Sequence, residues 1–228
     1  DLGYWASRTV GFSGAELANL MNESAIHCAR DNAKSINDIH IEAALDKITI
    51  GLRTSIITSL NMKKIIAYNE VGRAIVSAVR NGIESVEKIT ILPRSGYLGG
   101  YTKISPNEDV ISSGLISKKL LLSKIEIALA GRAAETIVFG KNEITQCSIN
   151  DISYATNIVR EMVTKYGFSI IGPISIDANK NGLLIGDGLV SEKSLVADNT
   201  YSKIDNEIIN ISKISLNNSI NILQENRL

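Results

Sequence analysis

Apolar positions along this chain recur mostly at helical spacing. Leu17, Leu20, Met21, Ser24, Ala25 and Cys28 fall three or four residues apart and give one mostly apolar face. Just before them, Ser13-Gly14-Ala15-Glu16 fits a capping box, in which a hydroxyl and a carboxylate satisfy the free amides at a helix start. A second helix opens at Asn37, carries Ile41, Ala44, Leu45 and Ile48, and ends at Gly51. After a polar stretch, residues 62–79 predict a helix with Ile65, Tyr68, Gly72, Ile75 and Val79 along one face. Gly in a helix interior costs about 1 kcal/mol relative to Ala, so Gly72 implies a close backbone approach. Residues 86–92 and 98–104 read as two short strands around the turn Pro93-Arg94-Ser95-Gly96. Ser117 caps a long helix through Leu121, Ile125, Leu129 and Ala133 to Val138, and Asp151 opens another that ends at Tyr166-Gly167. Residues 170–188 are Gly-rich and irregular. From about Asn199 a final helix carries Ile204, Ile208, Ile211 and Leu216. No internal repeat stands out. The fold class is mainly α with a small β-sheet.

Composition narrows the function classes. A chain of 228 residues can bury a sizeable core, as one large domain or two small ones. Lys+Arg 24 balance Asp+Glu 24, which argues against a nucleic-acid or polybasic membrane surface. No apolar run approaches the roughly 18–20 residues of a spanning helix, and no signal segment opens the chain. The first residues read as mid-protein sequence, so a fragment is expected. Cys28 and Cys147 form no C-x-x-C pair, and each reads as a small buried or half-buried side chain. The richness in Ile, Asn, Lys and Ser is read as coding bias, which favours an organelle genome or an organism with AT-rich DNA.

The candidate chemistry lies in Ala67-Tyr68-Asn69-Glu70-Val71-Gly72-Arg73-Ala74. This segment has the frame of a His-Glu-x-x-His zinc helix, with Asn69 and Arg73 where the histidines would stand. Residues four apart share one helix face and can grip one ion, while the Glu between them activates the metal-bound water. Glu70 keeps that general-base position. Asn is a weak neutral ligand, and Arg is a permanent cation that repels a metal. The chain holds only two histidines, His27 and His40, both in its N-terminal part and each read as a surface or half-buried side chain. No Ser, Cys or Thr comes with a nearby His base, so no other protease class is hidden here.

Further blocks follow in order: Val10-Gly11-Phe12-Ser13-Gly14-Ala15-Glu16-Leu17, Lys88-Ile89-Thr90-Ile91-Leu92-Pro93-Arg94, Leu98-Gly99-Gly100-Tyr101-Thr102, Ala130-Gly131-Arg132-Ala133-Ala134-Glu135 and Asn150-Asp151-Ile152. On these blocks the chain resembles, nearly end to end, the C-terminal part of an FtsH-type AAA+ zinc metalloprotease (peptidase M41-like) with a degenerate metal motif. The resemblance implies an AAA+ helical lid at 1–52, a linker at 53–60 and a peptidase-like domain at 61–228. Gly14 and Ala15 match positions near the nucleotide. Asp151 matches the third zinc ligand, although an Asp is equally favoured in a helix first turn by the dipole and free amides. Gln146-Cys147-Ser148 stands where Thr-Gly-Ala is common and adds bulk beside the pocket. Leu98, Gly99, Gly100 and Tyr101 match an edge strand that pairs with unfolded substrate, while an ordinary sheet edge with a Gly bulge fits the same residues.

The expectation is a pseudoprotease. No zinc is expected at the degenerate positions Asn69, Arg73 and Asp151, and Glu70 is expected to be inactive without it. Arg73 is expected to pair with Asp151, Glu70 or both; the bland alternative leaves it in solvent and the pocket wet. The resemblance further implies ATP binding by the longer protein, since the P-loop is absent here. It implies a homo- or hetero-hexamer acting on unfolded polypeptides in protein quality control, and no nucleic acid. It places the longer protein at a membrane, anchored through an absent N-terminal region, in a plastid, a mitochondrion or a bacterial inner membrane. The rival reading is an active ATP-dependent zinc metalloprotease with substitute ligands.

Overall fold

A computed structural model of the protein describes residues 2–52, 59–80, 84–92, 100–106, 114–175 and 198–226. Most of the expected linker, the turn at 93–96, Leu98, Gly99 and residues 176–188 lie outside them. The described elements are seven α-helices, Leu2–Arg8 (α1), Gly14–Arg30 (α2), Asp38–Thr49 (α3), Leu60–Val79 (α4), Lys118–Val138 (α5), Ile149–Thr164 (α6) and Asp198–Glu225 (α7). A 3-10 turn at Gln146–Ser148 leads into α6, and strands Glu84–Thr90 (β1) and Tyr101–Pro106 (β2) pair in a two-stranded sheet. Both strands start two or three residues from their expected bounds, because the Gly-rich connection between them has no period to fix their ends.

The chain divides into two compact units. The first is built on α1–α3. Ser13 caps α2 with the expected box: Glu16 N–H donates to Ser13 Oγ, and the Ser13 amide donates to the Glu16 carboxylate at 2.7 Å. The Ser13 amide and then the Ser13 hydroxyl, both donating to that carboxylate, hold Glu16 below its ordinary pKa. At the start of α3, Asn37 and His40 form a second reciprocal cap. His40 is therefore buried, where a surface or half-buried histidine was expected; its ring fills a structural role at a helix start. Leu20, Ala44 and Leu45 form the small core under Trp5, Phe12, Ile41 and Ile48. The buried stripe of α2 is narrower than its periodicity suggests: Leu20, Ser24 and Cys28 are inside, while Leu17 and Met21 face solvent.

The second unit is organised around α5, which packs against α4, α6 and α7. Ser117 Oγ accepts the Leu120 amide at its start, as the capping signal predicts. One cluster joins Leu121, Ile125 and Leu129 to Val159, Met162 and Val163 of α6 and to Ile204 and Ile208 of α7. A second joins Val76 of α4 to Ala130, Ala133 and Ala134 of α5 and to Ile222 and Leu223 of α7. Burying the larger of these side chains contributes about 1.5–3 kcal/mol each, which holds both α4 and α6 on α5. The α4–α5 contact is close: a Cβ added at Gly72 would lie 2.6 Å from the Ala134 Cβ and 3.0 Å from the Ala130 carbonyl oxygen. Farther along, buried Glu126 of α5 pairs with Arg80 at the end of α4 and accepts the Asn218 side-chain amide of α7. Among the described residues no helix is long and apolar enough to cross a membrane.

Candidate functional site

The motif helix buries only part of the face its apolar period predicts: Gly72 is buried and Ile75 packs on the core, while much of the inward face is polar. Ile66, Asn69, Glu70, Gly72, Ala74, Val76 and Ser77 are buried, whereas Tyr68 is 47% exposed and Val79 42%. Tyr68 instead meets Phe139 edge to face on the surface. The buried stripe through 66, 69, 70, 73 and 77 keeps the spacing of a helix face but is largely polar. Such a stripe can be buried only if its groups find partners, and they do.

Arg73, four residues after Asn69, lies between two carboxylates. Its Nη1 donates to both oxygens of Asp151, at 2.9 and 2.8 Å, and its Nη2 contacts the Glu70 carboxylate one turn earlier. The pairing expected for Arg73 is thus made to both acids. Asp151 arrives in the first turn of α6, where the helix dipole favours its negative charge. Thr102 of β2 donates its hydroxyl to Glu70 Oε2 at 2.6 Å, so that carboxylate is held from two sides. Burial, helped by the charge of Asp151, raises Glu70 above its ordinary pKa against the pull of Arg73 and Thr102. Burial likewise raises Asp151, with Arg73 opposing. For Arg73 burial disfavours the charge, but the two carboxylates together outweigh it and its pKa ends above the ordinary value.

Asn69 belongs to a second arm of the cluster. Its Nδ2 donates to Glu135 Oε1 at 2.7 Å and to Ser148 Oγ at 2.9 Å. Glu135 Oε2 accepts the Thr145 amide at 2.7 Å and the Thr145 hydroxyl at 3.0 Å. The 146–148 segment, expected to add bulk, forms a tight 3-10 turn with Ser148 buried and Cys147 half-buried. Glu135, Thr145, Ser148 and Thr102 were not singled out by sequence reasoning. Thr102, Glu135 and Ser148 lie in the motif blocks, and an acid inside an Ala-rich helix is the one signal of a buried partner. Of the expected edge strand, Gly100 and Tyr101 are described, with Gly100 buried and Tyr101 starting β2. Gly14 opens α2 beside Ala15, and His27 and His40 lie on α2 and α3 of the first unit.

A zincin site needs lone pairs converging from three protein ligands. Both hydrogens of the Asn69 amide are spent on Glu135 and Ser148, and its Oδ1 lies against the backbone of Gly131, where an added Cβ would be 2.3 Å away. The Arg73 guanidinium already supplies Asp151 with a positive charge at contact distance. The residues present do not fit a zinc ion.

Comparison with known proteins places this site in a lineage. A profile of peptidase family M41 matches residues 56–228, and one of the AAA+ lid domain matches residues 1–43. The chain is 39% identical over 223 residues to an ATP-dependent zinc metalloprotease FtsH of Trieres chinensis, covering 98% of this chain and 34% of that protein. It is 40% identical over 222 residues to an ATP-dependent zinc metalloprotease FtsH of Cyanidium caldarium, covering 97% and 35%. It is 42% identical over 171 residues to ATP-dependent zinc metalloprotease FTSH 2, chloroplastic, of Arabidopsis thaliana, covering 75% and 24%. The chain spans about a third or less of the length of these curated relatives.

Proposed function

Because this chain belongs to peptidase family M41, with an AAA+ lid in its N-terminal part, we propose that it is a member that no longer cuts peptides. The observation that carries this reading is Arg73 seated between Asp151 and Glu70. The guanidinium supplies the positive charge that a zinc would bring and leaves no vacant coordination position for water. Bulk water has a pKa near 15.7 and falls to about 7 only on zinc, a gap that a lone carboxylate does not close for amide hydrolysis. Thr102 and Arg73 both hold Glu70 Oε2, which ties that oxygen into the pocket wall.

In this reading the lid occupies 1–52, the peptidase-like domain 61–228 and a linker lies between them. The lid closes over ATP held by a large ATPase domain of the longer protein, with Gly14 and Ala15 near the nucleotide. The relatives' greater length supports further segments, and a membrane anchor among them is part of this proposal. The peptidase-like domain serves in a hexameric ring, homo- or heteromeric, that handles unfolded polypeptide along the edge of β2. Ile209 and Ile214, both 51% exposed on the outer face of α7, support subunit packing there. A relative named as chloroplastic supports a plastid setting.

Elemental analysis of the purified chain, dialysed with and without added zinc, tests the central claim. Near-zero stoichiometry, with no casein hydrolysis, is the expected result. One tightly held zinc per chain, with hydrolysis lost in Glu70→Gln, would overturn it in favour of substitute ligands.

A further inference from the structure

Glu135 is 0% exposed, and its three donors (the Asn69 amide, the Thr145 N–H and the Thr145 hydroxyl) are all uncharged. A buried carboxyl group held only by neutral dipoles depends on each of them, because a lost donor leaves an acceptor without water or partner. Asn69, 2% exposed, is the donor that comes from another helix. Its orientation is determined by its surroundings: turning the amide over would set Oδ1 against the Glu135 oxygen and leave Nδ2 facing the Gly131 backbone. A histidine at this position would give one N–H to Glu135 and keep its other nitrogen for an ion. Asn gives both of its hydrogens to the protein, the second to Ser148 Oγ, one residue before α6 begins.

We propose that Asn69 is a positioning residue whose amide, by holding Glu135 and Ser148 together, latches the 145–148 segment onto α4 without an ion. The latch sets where α6 starts, and with it the place of Asp151 opposite Arg73. It has three parts from separate elements: Asn69 on α4, Glu135 on α5, and the Thr145–Ser148 segment. Thr145 Oγ1 also caps the 3-10 turn by accepting the Cys147 amide, so the latch and the local turn share one side chain. The inference goes beyond the loss of peptide cleavage and stands whether or not the chain cuts, since it concerns Glu135 rather than Glu70.

Cys147, half-buried between Thr145 and Ser148, reports on the latch. Its labelling rate by a soluble disulfide reagent, in the full chain with Cys28→Ser as background, follows opening of this segment. Asn69→Ala is expected to speed labelling roughly 10- to 100-fold, the range for one buried partner lost. Asn69→Asp, nearly identical in shape, sets a second carboxyl group against Glu135 and is expected to label faster still. Combining Asn69→Asp with Glu135→Gln reverses the donor and acceptor and is expected to bring the rate back to within about 3-fold of the parent. Asn69→His, which keeps a donor for Glu135, is expected to stay within about 3-fold of the parent without added metal. Parent-like labelling in both Asn69→Ala and Asn69→Asp would overturn the proposal, as would failure of Glu135→Gln to restore Asn69→Asp. If Asn69→Asp does not fold, the Ala and His variants decide: fast Ala with parent-like His supports the latch, and equal rates in the two refute it.

Discussion

Arg73 Nη1 lies 2.9 and 2.8 Å from the two oxygens of Asp151, joining α4 to the first turn of α6 with an ion pair. Taking two charges from water is costly, and a buried pair often contributes little compared with a well-packed apolar one. Breaking it from one side is another matter. Arg73→Ala leaves Asp151 and Glu70 facing each other with no counter-charge, and a loss of about 3–5 kcal/mol is expected. Urea unfolding of Arg73→Ala, Asp151→Ala and the double variant checks this. The double variant is expected to lose clearly less than the sum of the singles, and additivity would show that the pair is not coupled.

The acids in this cluster carry a pH signature with a definite sign. Burial raises Glu70 and Asp151 in the folded state above their ordinary values of 4.5 and 3.8. The folded chain therefore binds protons more readily than the unfolded one in that window. Their contribution to stability is fully present below the ordinary values and is lost as pH rises through the raised ones. Glu70→Gln removes the larger share, since Glu70 is the more deeply buried. Unfolding free energy of the parent minus that of Glu70→Gln is expected to fall as pH rises from about 4 to about 7. A difference that grows over that range would mean that Arg73, and not burial, dominates the acid.

The helices were legible because their ends carry their own chemistry. Ser13, Asn37 and Ser117 each mark a start that the structure keeps, and Gly51 follows the C-cap of α3 with a positive φ of 95°. The motif helix is legible, but its inward face only in part: Gly72 and Ile75 meet the core, while Tyr68 and Val79 do not. Ile65, Tyr68, Gly72, Ile75 and Val79 carry the apolar period, whereas the polar stripe that turns inward holds Asn69, Glu70, Arg73 and Ser77. Periodicity follows hydrophobicity, so a polar face buried by mutual pairing gives it no signal. The Arg73–Asp151 pair was accessible because the family resemblance puts Asp151 beside Glu70 and Arg73, and charge then pairs the acids with the cation. The bond from Asn69 to Glu135 spans 66 positions and joins two side chains with no local cue, so it needed the packing of α4 on α5.

That packing predicts an ordered pair of substitutions. At Gly72 an added Cβ meets the Ala134 Cβ at 2.6 Å and the Ala130 carbonyl oxygen at 3.0 Å, so the helices themselves must part. Gly72→Ala is expected to cost about 1–3 kcal/mol despite the better helix propensity of Ala. Gly131→Ala meets Asn69 at its Oδ1, 2.3 Å away, and would push the amide off Glu135 and Ser148. Thermal unfolding would order them: both fall below the parent, and Asn69→Ala restores part of the loss in Gly131→Ala but none in Gly72→Ala.

The strongest test of what the pocket has become is to reverse it. Asn69→His with Arg73→His returns two imidazoles to one helix face, with Asp151 as an oxygen donor across from them. Without metal the double variant has lost the guanidinium, so Asp151 and Glu70 lie together uncompensated and stability is expected to drop by several kcal/mol. Added zinc would supply the missing charge, and the melting temperature is expected to climb with zinc concentration as mass action requires. The parent is expected to show no such rise, because Arg73 already occupies its carboxylates. Zinc-dependent stabilisation in the double variant alone would mean that an internal cation has taken over the holding role of a metal. Equal stabilisation of both chains would place zinc binding elsewhere and remove Arg73 from that role.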